Sequence, residues 1–300
     1  MKTPVWILFL SFMILSGELC AQNYAFKVLA NKGSNEVKSA DGWQPLRTGA
    51  SLQASDELKL ADNSYIGLVH ASGKPVELKE ARIYKVSELA SQVKGGATAL
   101  NKYTDFILSS NSAEAKKNKL SATGAVHRDV KTASAIKLLL PPNQHSGIYN
   151  NTAIIKWEAE ESAAPYIVTL RNMFDDELAK IETSATSLEI DLGDPKYAAE
   201  NAILVEVTSK ANPRVGSQQH LVKKLTPADY SRVKKSLSEI IGEVAEKTAL
   251  NKFILAGFYE ENTLFIDAIA AYEEAIKLAP DVPFYQEAYE EFLLRHGLKN

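Results

Sequence analysis

The sequence has one cysteine in 300 residues, and this residue, Cys20, lies next to an apolar N-terminal segment. A chain with a single cysteine cannot form an internal disulfide and offers no cysteine cluster for structural zinc. The five histidines are scattered and lack the HExxH spacing of a zinc protease. We therefore predict no metal site and no disulfide framework.

The sequence also lacks the short motifs that mark common catalytic and nucleotide-binding sites. It contains no G-x-G-x-x-G sequence, no P-loop and no G-x-S-x-G nucleophile elbow. The formal net charge of −3 gives no electrostatic reason to expect nucleic acid as a ligand. The sequence therefore predicts a protein without enzyme activity, catalytic residues or cofactor.

Long apolar runs are absent after residue 21, whereas residues 1–21 have the features of an export signal. A positive start precedes the apolar run Val5–Leu15, and Leu19 and Ala21 occupy positions −3 and −1 of a cleavage site. The run is shorter than the roughly 20 residues that span a bilayer. We expect cleavage after Ala21, with lipidation of Cys20 or a retained anchor as alternatives. The predicted location is the bacterial periplasm; secretion and outer-membrane association stay open.

Turns and hydrophobic periodicity divide the rest of the chain into four segments of an α+β multidomain protein. Residues 22–90 are predicted to be a small β sandwich or barrel, because turns such as Asp41-Gly42 separate short apolar runs. We predict a helical and polar linker at 91–135, a second β-sandwich at 136–224 and an α-helical repeat bundle at 225–300.

Three local patterns in the β segments carry further expectations. In the segment Tyr65–His70, the residues that would point to either face of a strand are mostly apolar. This pattern predicts a central strand covered on both faces. Trp43 and Trp157 lie inside strand patterns, so we predict that both pack in a core; stacking on a sugar is the alternative. The acidic run at 174–177 is predicted to be a solvated hairpin tip, because a calcium loop would need a glycine and alternating acids.

Glycine turns recur between short strands in the first β segment. Residues 42–46 read GWQPL, residues 49–52 read GASL, residues 64–68 read SYIGL, and residues 72–78 read SGKPVEL. This succession resembles the FecR-like periplasmic β domain over residues 24–90. In the iron-regulator family that domain follows a cytoplasmic anti-sigma segment and a membrane span. This sequence contains neither, so we do not expect a role in sigma-factor control.

The second β segment has an early tryptophan, a tyrosine-led strand and a late apolar strand. These are Trp157, Tyr166–Arg171 and Ala202–Thr208. The pattern resembles a fibronectin type III sandwich, which implies two antiparallel sheets packed face to face. A possible short helix at 194–201 departs from that pattern, where the family places a loop.

The C-terminal segment has the spacing of a tetratricopeptide (TPR) repeat. The small, aromatic and terminal proline positions of that repeat of about 34 residues are occupied by Leu255, Ala256, Tyr259, Ala268, Tyr272, Ala275 and Pro280. The resemblance implies two helices joined at Asn262-Thr263, capped by neighbouring helices, and a groove for a protein partner. Tyr259 and Tyr272 are predicted to lie in the core. The predicted groove contacts are Asn251, Lys252, Glu260 and Asp267.

Together, these features predict an exported, non-enzymatic scaffold or adaptor of the bacterial cell envelope. It would bind another envelope protein through its β and TPR-like modules. The alternative is a cell-wall or polysaccharide binder that uses the N-terminal β domain. An exposed Trp43 would favour the alternative, and a buried Trp43 would favour the scaffold. A third hypothesis, a hydrolase with scattered carboxylates, would need a pocket with two facing acids.

Overall fold

The structure is a computed structural model that describes residues 24–40, 42–112, 115, 136–159 and 161–299. The predicted export signal and most of the polar part of the predicted linker lie outside these residues. Within them, the chain has the predicted α+β architecture: β-sheets occupy the N-terminal two-thirds and helices the C-terminal region.

The first β unit consists of two four-stranded antiparallel sheets. One has the order β4 (Ser51–Leu52), β1 (Phe26–Lys32), β6 (Tyr65–His70) and β7 (Pro75–Leu78). The other has the order β3 (Gly42–Pro45), β2 (Glu36–Ser39), β5 (Glu57–Lys59) and β8 (Ile83–Lys85). Phe26, Leu58, Ile66 and Leu68 are fully buried in one hydrophobic core of this unit. The glycine turn predicted after β2 is present, since Gly42 has a φ of 98° and pairs with Ser39.

The second β unit packs a three-stranded sheet against a five-stranded sheet. The smaller sheet has the order β14 (Ser187–Asp191), β11 (Thr152–Ala159) and β9 (Ile136–Leu138). The larger has the order β10 (Gly147–Ile148), β16 (His220–Lys224), β15 (Ala202–Ser209), β12 (Tyr166–Arg171) and β13 (Glu177–Thr183). Trp157 is buried in their shared core, and its ring meets that of Tyr166 edge-on at 5.4 Å. The core position predicted for Trp157 is therefore confirmed.

Eight helices complete the described part of the chain. They are α1 (Val86–Gln92), α2 (Ala99–Ser110), α3 (Pro195–Ala198), α4 (Pro227–Ser238), α5 (Ile241–Val244), α6 (Ala249–Glu261), α7 (Phe265–Leu278) and α8 (Pro283–Arg295). None of these described helices is long and apolar enough to cross a membrane.

Local sequence sets the boundaries of the C-terminal helices. The Thr226 hydroxyl accepts a hydrogen bond from the Asp229 backbone N–H at 3.2 Å, which caps the first turn of α4. Thr248 caps α6 in the same way. Thr263 has a φ of 58° in the predicted turn between α6 and α7. Tyr259 and Tyr272 are buried, as predicted.

The first half of the predicted linker is part of the helical core. Leu100, Tyr103 and Ile107 of α2 are buried among the C-terminal helices, and the Tyr103 ring lies 5.1 Å from that of Phe258. Their i, i+3, i+7 spacing gives α2 one apolar face, which is buried against α6. The helical character predicted for this part of the linker is present at Ala99–Ser110, and the helix packs against the C-terminal helices.

The C-terminal helices pack against both β units. Leu29, Ala30, Tyr65 and Val69 of the first unit belong to the same hydrophobic core as the helices. On the other side, α7 contacts β10 and β11, and its Ile266 belongs to the core of the second unit. The predicted double burial of β6 is thus confirmed, because Ile66 and Leu68 face the sandwich core while Tyr65 and Val69 face the helices.

Substitution of Gly257 tests the packing of α2 on α6. A Cβ atom at this position would lie 2.4 Å from Cγ1 of the buried Ile107. We expect Gly257→Ala to lower the free energy of unfolding by about 1–3 kcal/mol through overpacking, despite the higher helix propensity of alanine. Urea denaturation measures the change.

Gly242 provides the matched control for that experiment. It lies in α5, and a Cβ atom there would meet nothing within 4 Å. Gly242→Ala should leave stability unchanged or raise it by about 0.5–1 kcal/mol. Equal effects of the two alanines would contradict the close approach of α2 and α6.

Candidate functional site

Three of the four predicted groove residues have buried side chains, Asn251, Glu260 and Asp267. The fourth, Lys252, is partly exposed and forms an ion pair with Glu274 of the next helix. The buried three take part in contacts within the chain, so they leave almost no surface for a partner. Their contact with a partner stays a prediction, and their burial argues against it.

Asp267 attaches α7 to the second β unit. Its carboxylate oxygens accept hydrogen bonds from the backbone N–H groups of Tyr149 at 2.8 Å and Asn150 at 2.9 Å. These donors lie in the turn between β10 and β11. Burial raises the pKa of Asp267 to about 6, although the two N–H donors act in the opposite direction.

Glu260 holds α8 against α6. Its carboxylate accepts hydrogen bonds from Arg295 Nε at 2.8 Å, His296 Nε2 at 2.9 Å and the Tyr272 hydroxyl at 3.2 Å. Burial alone would raise the pKa of Glu260, but the hydrogen bond from His296 and the charge of Arg295 outweigh it and lower this pKa. Arg295 also donates to the Ser110 carbonyl, so the same group holds the end of α2.

A third buried polar contact joins the first β unit to the helices. The Glu77 carboxylate accepts hydrogen bonds from the Leu250 backbone N–H at 2.9 Å and the Tyr65 hydroxyl at 2.8 Å. The hydroxyls of Tyr65 and Tyr285 lie 2.6 Å apart. Burial is the main cause that raises the pKa of Tyr65, so this phenol stays protonated. Asp267, Glu260, Glu77 and Tyr65, whose pKa values are shifted, thus all contact a neighbouring module.

An open cleft lies between the edge of the first β unit and α2. It has a volume of about 440 Å3 and is lined by Tyr24, Lys27, Gly49, Ser51, Gln53, Asp105 and Leu108. Lys27 and Asp105 form an ion pair within it. Asp105 is the one carboxylate among these lining residues, whereas the hydrolase hypothesis requires two facing acids. The described residues also contain no group of three side chains placed to hold a metal ion.

Trp43 lies on the outer face of the first β unit, so the core prediction is wrong for this residue. Its side chain is 37% exposed, and the ammonium groups of Lys38 and Lys59 each lie 5.7 Å from its ring centroid. The cause is the register of the hairpin: Trp43 pairs with Lys38, while Val37 and Leu58 on the opposite face point to the core. This exposure favours the polysaccharide-binding alternative.

Phe174, the most exposed of the large apolar side chains in the described residues, lies at the tip of the β12–β13 hairpin. Phe174 is 87% exposed and its neighbour Met173 is 56% exposed. The predicted hairpin tip at 174–177 is confirmed, but the sequence reading singled out its acids and missed its apolar pair. The available signal was two large apolar residues inside a turn, where polar residues are the norm.

Neither a scan against models of protein families nor a search of curated protein sequences finds a match to this chain. The functional interpretation therefore rests on the residues and their geometry.

The shifted pKa of Asp267 gives a pH dependence with a defined sign. Between about pH 4 and 6 the folded state retains a proton that the unfolded state has lost, so the contribution of Asp267 to stability falls as pH rises. The difference in unfolding free energy between wild type and Asp267→Asn should shrink across this window. Urea denaturation at several pH values measures it.

Asp62→Asn is the control, because Asp62 is an exposed turn residue. The pH trend measured for Asp267→Asn is compared with the trend measured for this exposed variant. Glu77 and Glu260, whose pKa values are lowered, are present in every variant. Their contributions to the pH dependence of the unfolding free energy therefore cancel in the difference between variants. A difference for Asp267→Asn that grows with pH would contradict the raised pKa.

Proposed function

We propose that this protein is an exported, non-enzymatic scaffold or adaptor of the bacterial cell envelope that binds another protein. The observation that carries the proposal is the role of three buried or half-buried carboxylates. Asp267, Glu260 and Glu77 all hold modules together, and none of them lines the open cleft. Perturbed carboxylates of an enzyme would be expected to converge in a cleft.

The proposal includes the three resemblances drawn from sequence. The split into a three-stranded and a five-stranded sheet supports the fibronectin type III-like assignment of the second unit. Short strands and glycine turns support the FecR-like assignment of the first, and the α6–α7 pair supports the TPR-like assignment. An export signal at residues 1–21 and a periplasmic location belong to the same proposal.

Because the helices pack against both β units, we propose that the β units, and not the helices, bind the partner. A TPR pair that binds a partner leaves one face open to it, but here α6 and α8 pack on the first β unit and α7 on the second. The helical region therefore joins the two β units, and we place the partner-binding surface on those units.

Crosslinking in intact cells of the producing organism tests this proposal. The tagged full-length protein is crosslinked, purified under denaturing conditions and analysed by mass spectrometry, with an unrelated tagged export protein as control. We expect one envelope protein to be enriched reproducibly. A full-length chain is required, because deletion of residues 249–300 would remove the helices that cover both β units. Enrichment of neither protein nor glycan would refute the proposal.

The second candidate function is binding of a cell-wall or other polysaccharide at Trp43. The half-exposed indole offers a surface on which a sugar ring can stack, and Lys38 and Lys59 would attract a carboxylate-bearing sugar. The two ammonium groups already lie close to this ring, so a sugar would have to displace them. The ion pairs Lys38–Glu57 and Lys59–Glu36 hold them in place.

Co-sedimentation of the purified mature protein with isolated cell-wall polysaccharide tests this second function. If it is correct, Trp43→Ala should weaken binding about two- to tenfold, in line with the energy of one stacked ring. Leu278→Ala is the control, since Leu278 is 38% exposed and lies on α7. Equal binding by both variants would remove Trp43 as a sugar site.

A further inference from the structure

The hairpin between β12 and β13 carries an apolar pair on its tip. Met173 and Phe174 are adjacent and exposed, whereas most exposed apolar residues of the described chain stand alone. Single exposed apolar side chains are normal on protein surfaces, but neighbouring ones at a protruding turn expose a contiguous apolar patch to water. β13 is the outermost strand of its sheet, so no neighbouring strand flanks the tip on that side.

Asn172 fixes the conformation of this tip. Its side-chain oxygen accepts hydrogen bonds from the backbone N–H groups of Phe174 at 2.9 Å and Asp176 at 3.0 Å. Its side-chain amide donates to the Asp176 carboxylate at 3.0 Å, and its backbone N–H donates to the Asp176 carbonyl at 3.0 Å. Asp175 adopts a φ of 71°, which closes the turn. The apolar pair is thereby held in one arrangement before binding, which lowers the entropy lost on association.

Three acidic residues directly follow the apolar pair. Asp175, Asp176 and Glu177 are exposed. The basic residue next to this turn is Arg171, whose Nε lies 3.6 Å from Oδ1 of Asp175. The tip therefore has net negative charge. An anionic lipid surface would repel it, whereas a protein pocket with a basic rim would attract it.

We propose that the Met173–Phe174 tip is the contact through which this chain docks into an apolar, basic-rimmed pocket of a protein partner. This inference rests on the adaptor function proposed above and names its binding residues. Phe174 is the anchor that enters the pocket, because a buried aromatic side chain contributes a large share of the energy of a typical interface. The carboxylates of Asp175 and Asp176 steer the approach and pair with the rim.

Photo-crosslinking from the tip is the first step of the test. A benzophenone amino acid replaces Phe174 in the full-length protein inside producing cells, and the same amino acid replaces Ile83 as a control. Ile83 is 57% exposed on β8 of the first β unit. We expect a protein adduct from position 174 that is absent from position 83.

The second step uses the partner identified in that adduct, purified, in titrations with the purified mature chain. Phe174→Ser should weaken binding at least about tenfold, while Ile83→Ser should leave it unchanged. The pair Asp175→Asn and Asp176→Asn should weaken binding at low salt and much less at high salt. Asparagine tolerates positive φ and can accept the Asn172 hydrogen bond, so this variant retains the turn.

Several results would overturn the inference. An adduct between two copies of this chain would assign the tip to self-association. Co-sedimentation with vesicles of phosphatidylethanolamine and phosphatidylglycerol that depends on Phe174 would assign it to a membrane. Undiminished binding of the partner by Phe174→Ser would place the contact elsewhere while leaving the adaptor function intact. That function itself fails only if crosslinking of the wild-type chain enriches no partner.

Discussion

Burial of helix α6 is the constraint on which the rest of the structure depends. Every residue of this helix except Lys252 and Glu261 is buried. A helix buried on nearly every face must be covered by other elements on nearly every side. α2, α5 and α7 cover part of it, and the first β unit covers another part through β7. The burial of one helix therefore brings together segments as distant in sequence as residues 30, 107 and 285.

Buried polar contacts fix how the modules are arranged, while apolar packing supplies most of the driving force. Asp267 accepts hydrogen bonds from two backbone N–H groups of the second β unit, and Glu77 accepts one from the N–H of Leu250. A shifted helix would leave such groups unpaired in the interior, at a cost of roughly 1–3 kcal/mol for each. These contacts therefore select one arrangement among several that would bury similar apolar area.

The same packing changes what the helical region can do. A TPR-like pair of helices suggests an interaction surface, yet here that surface is occupied by parts of the same chain. The side chains that we propose for recognition lie on the β units instead, at Trp43 on the first and at Met173–Phe174 on the second. Each site has an exposed aromatic ring beside charged residues. The charges next to Trp43 are the lysines Lys38 and Lys59, and those next to Phe174 are acidic.

The sequence by itself determined the local elements. Capping by Thr226, the turn at Asn262-Thr263, the strand at Tyr65–His70 and the core position of Trp157 all depend on neighbouring residues or on periodicity. Only the tertiary structure decided that Trp43 faces solvent, that α2 joins the C-terminal core, and that Glu260 and Asp267 are buried. The positions of α2 and Asp267 depend on contacts between residues more than a hundred positions apart, such as Tyr103 with Phe258 and Asp267 with Tyr149. Burial of Glu260 depends on Arg295 and His296 at the end of α8, and exposure of Trp43 depends on the register of its strand with β2. Helical and strand periodicity show which face of an element is apolar, but not which distant segment will cover it.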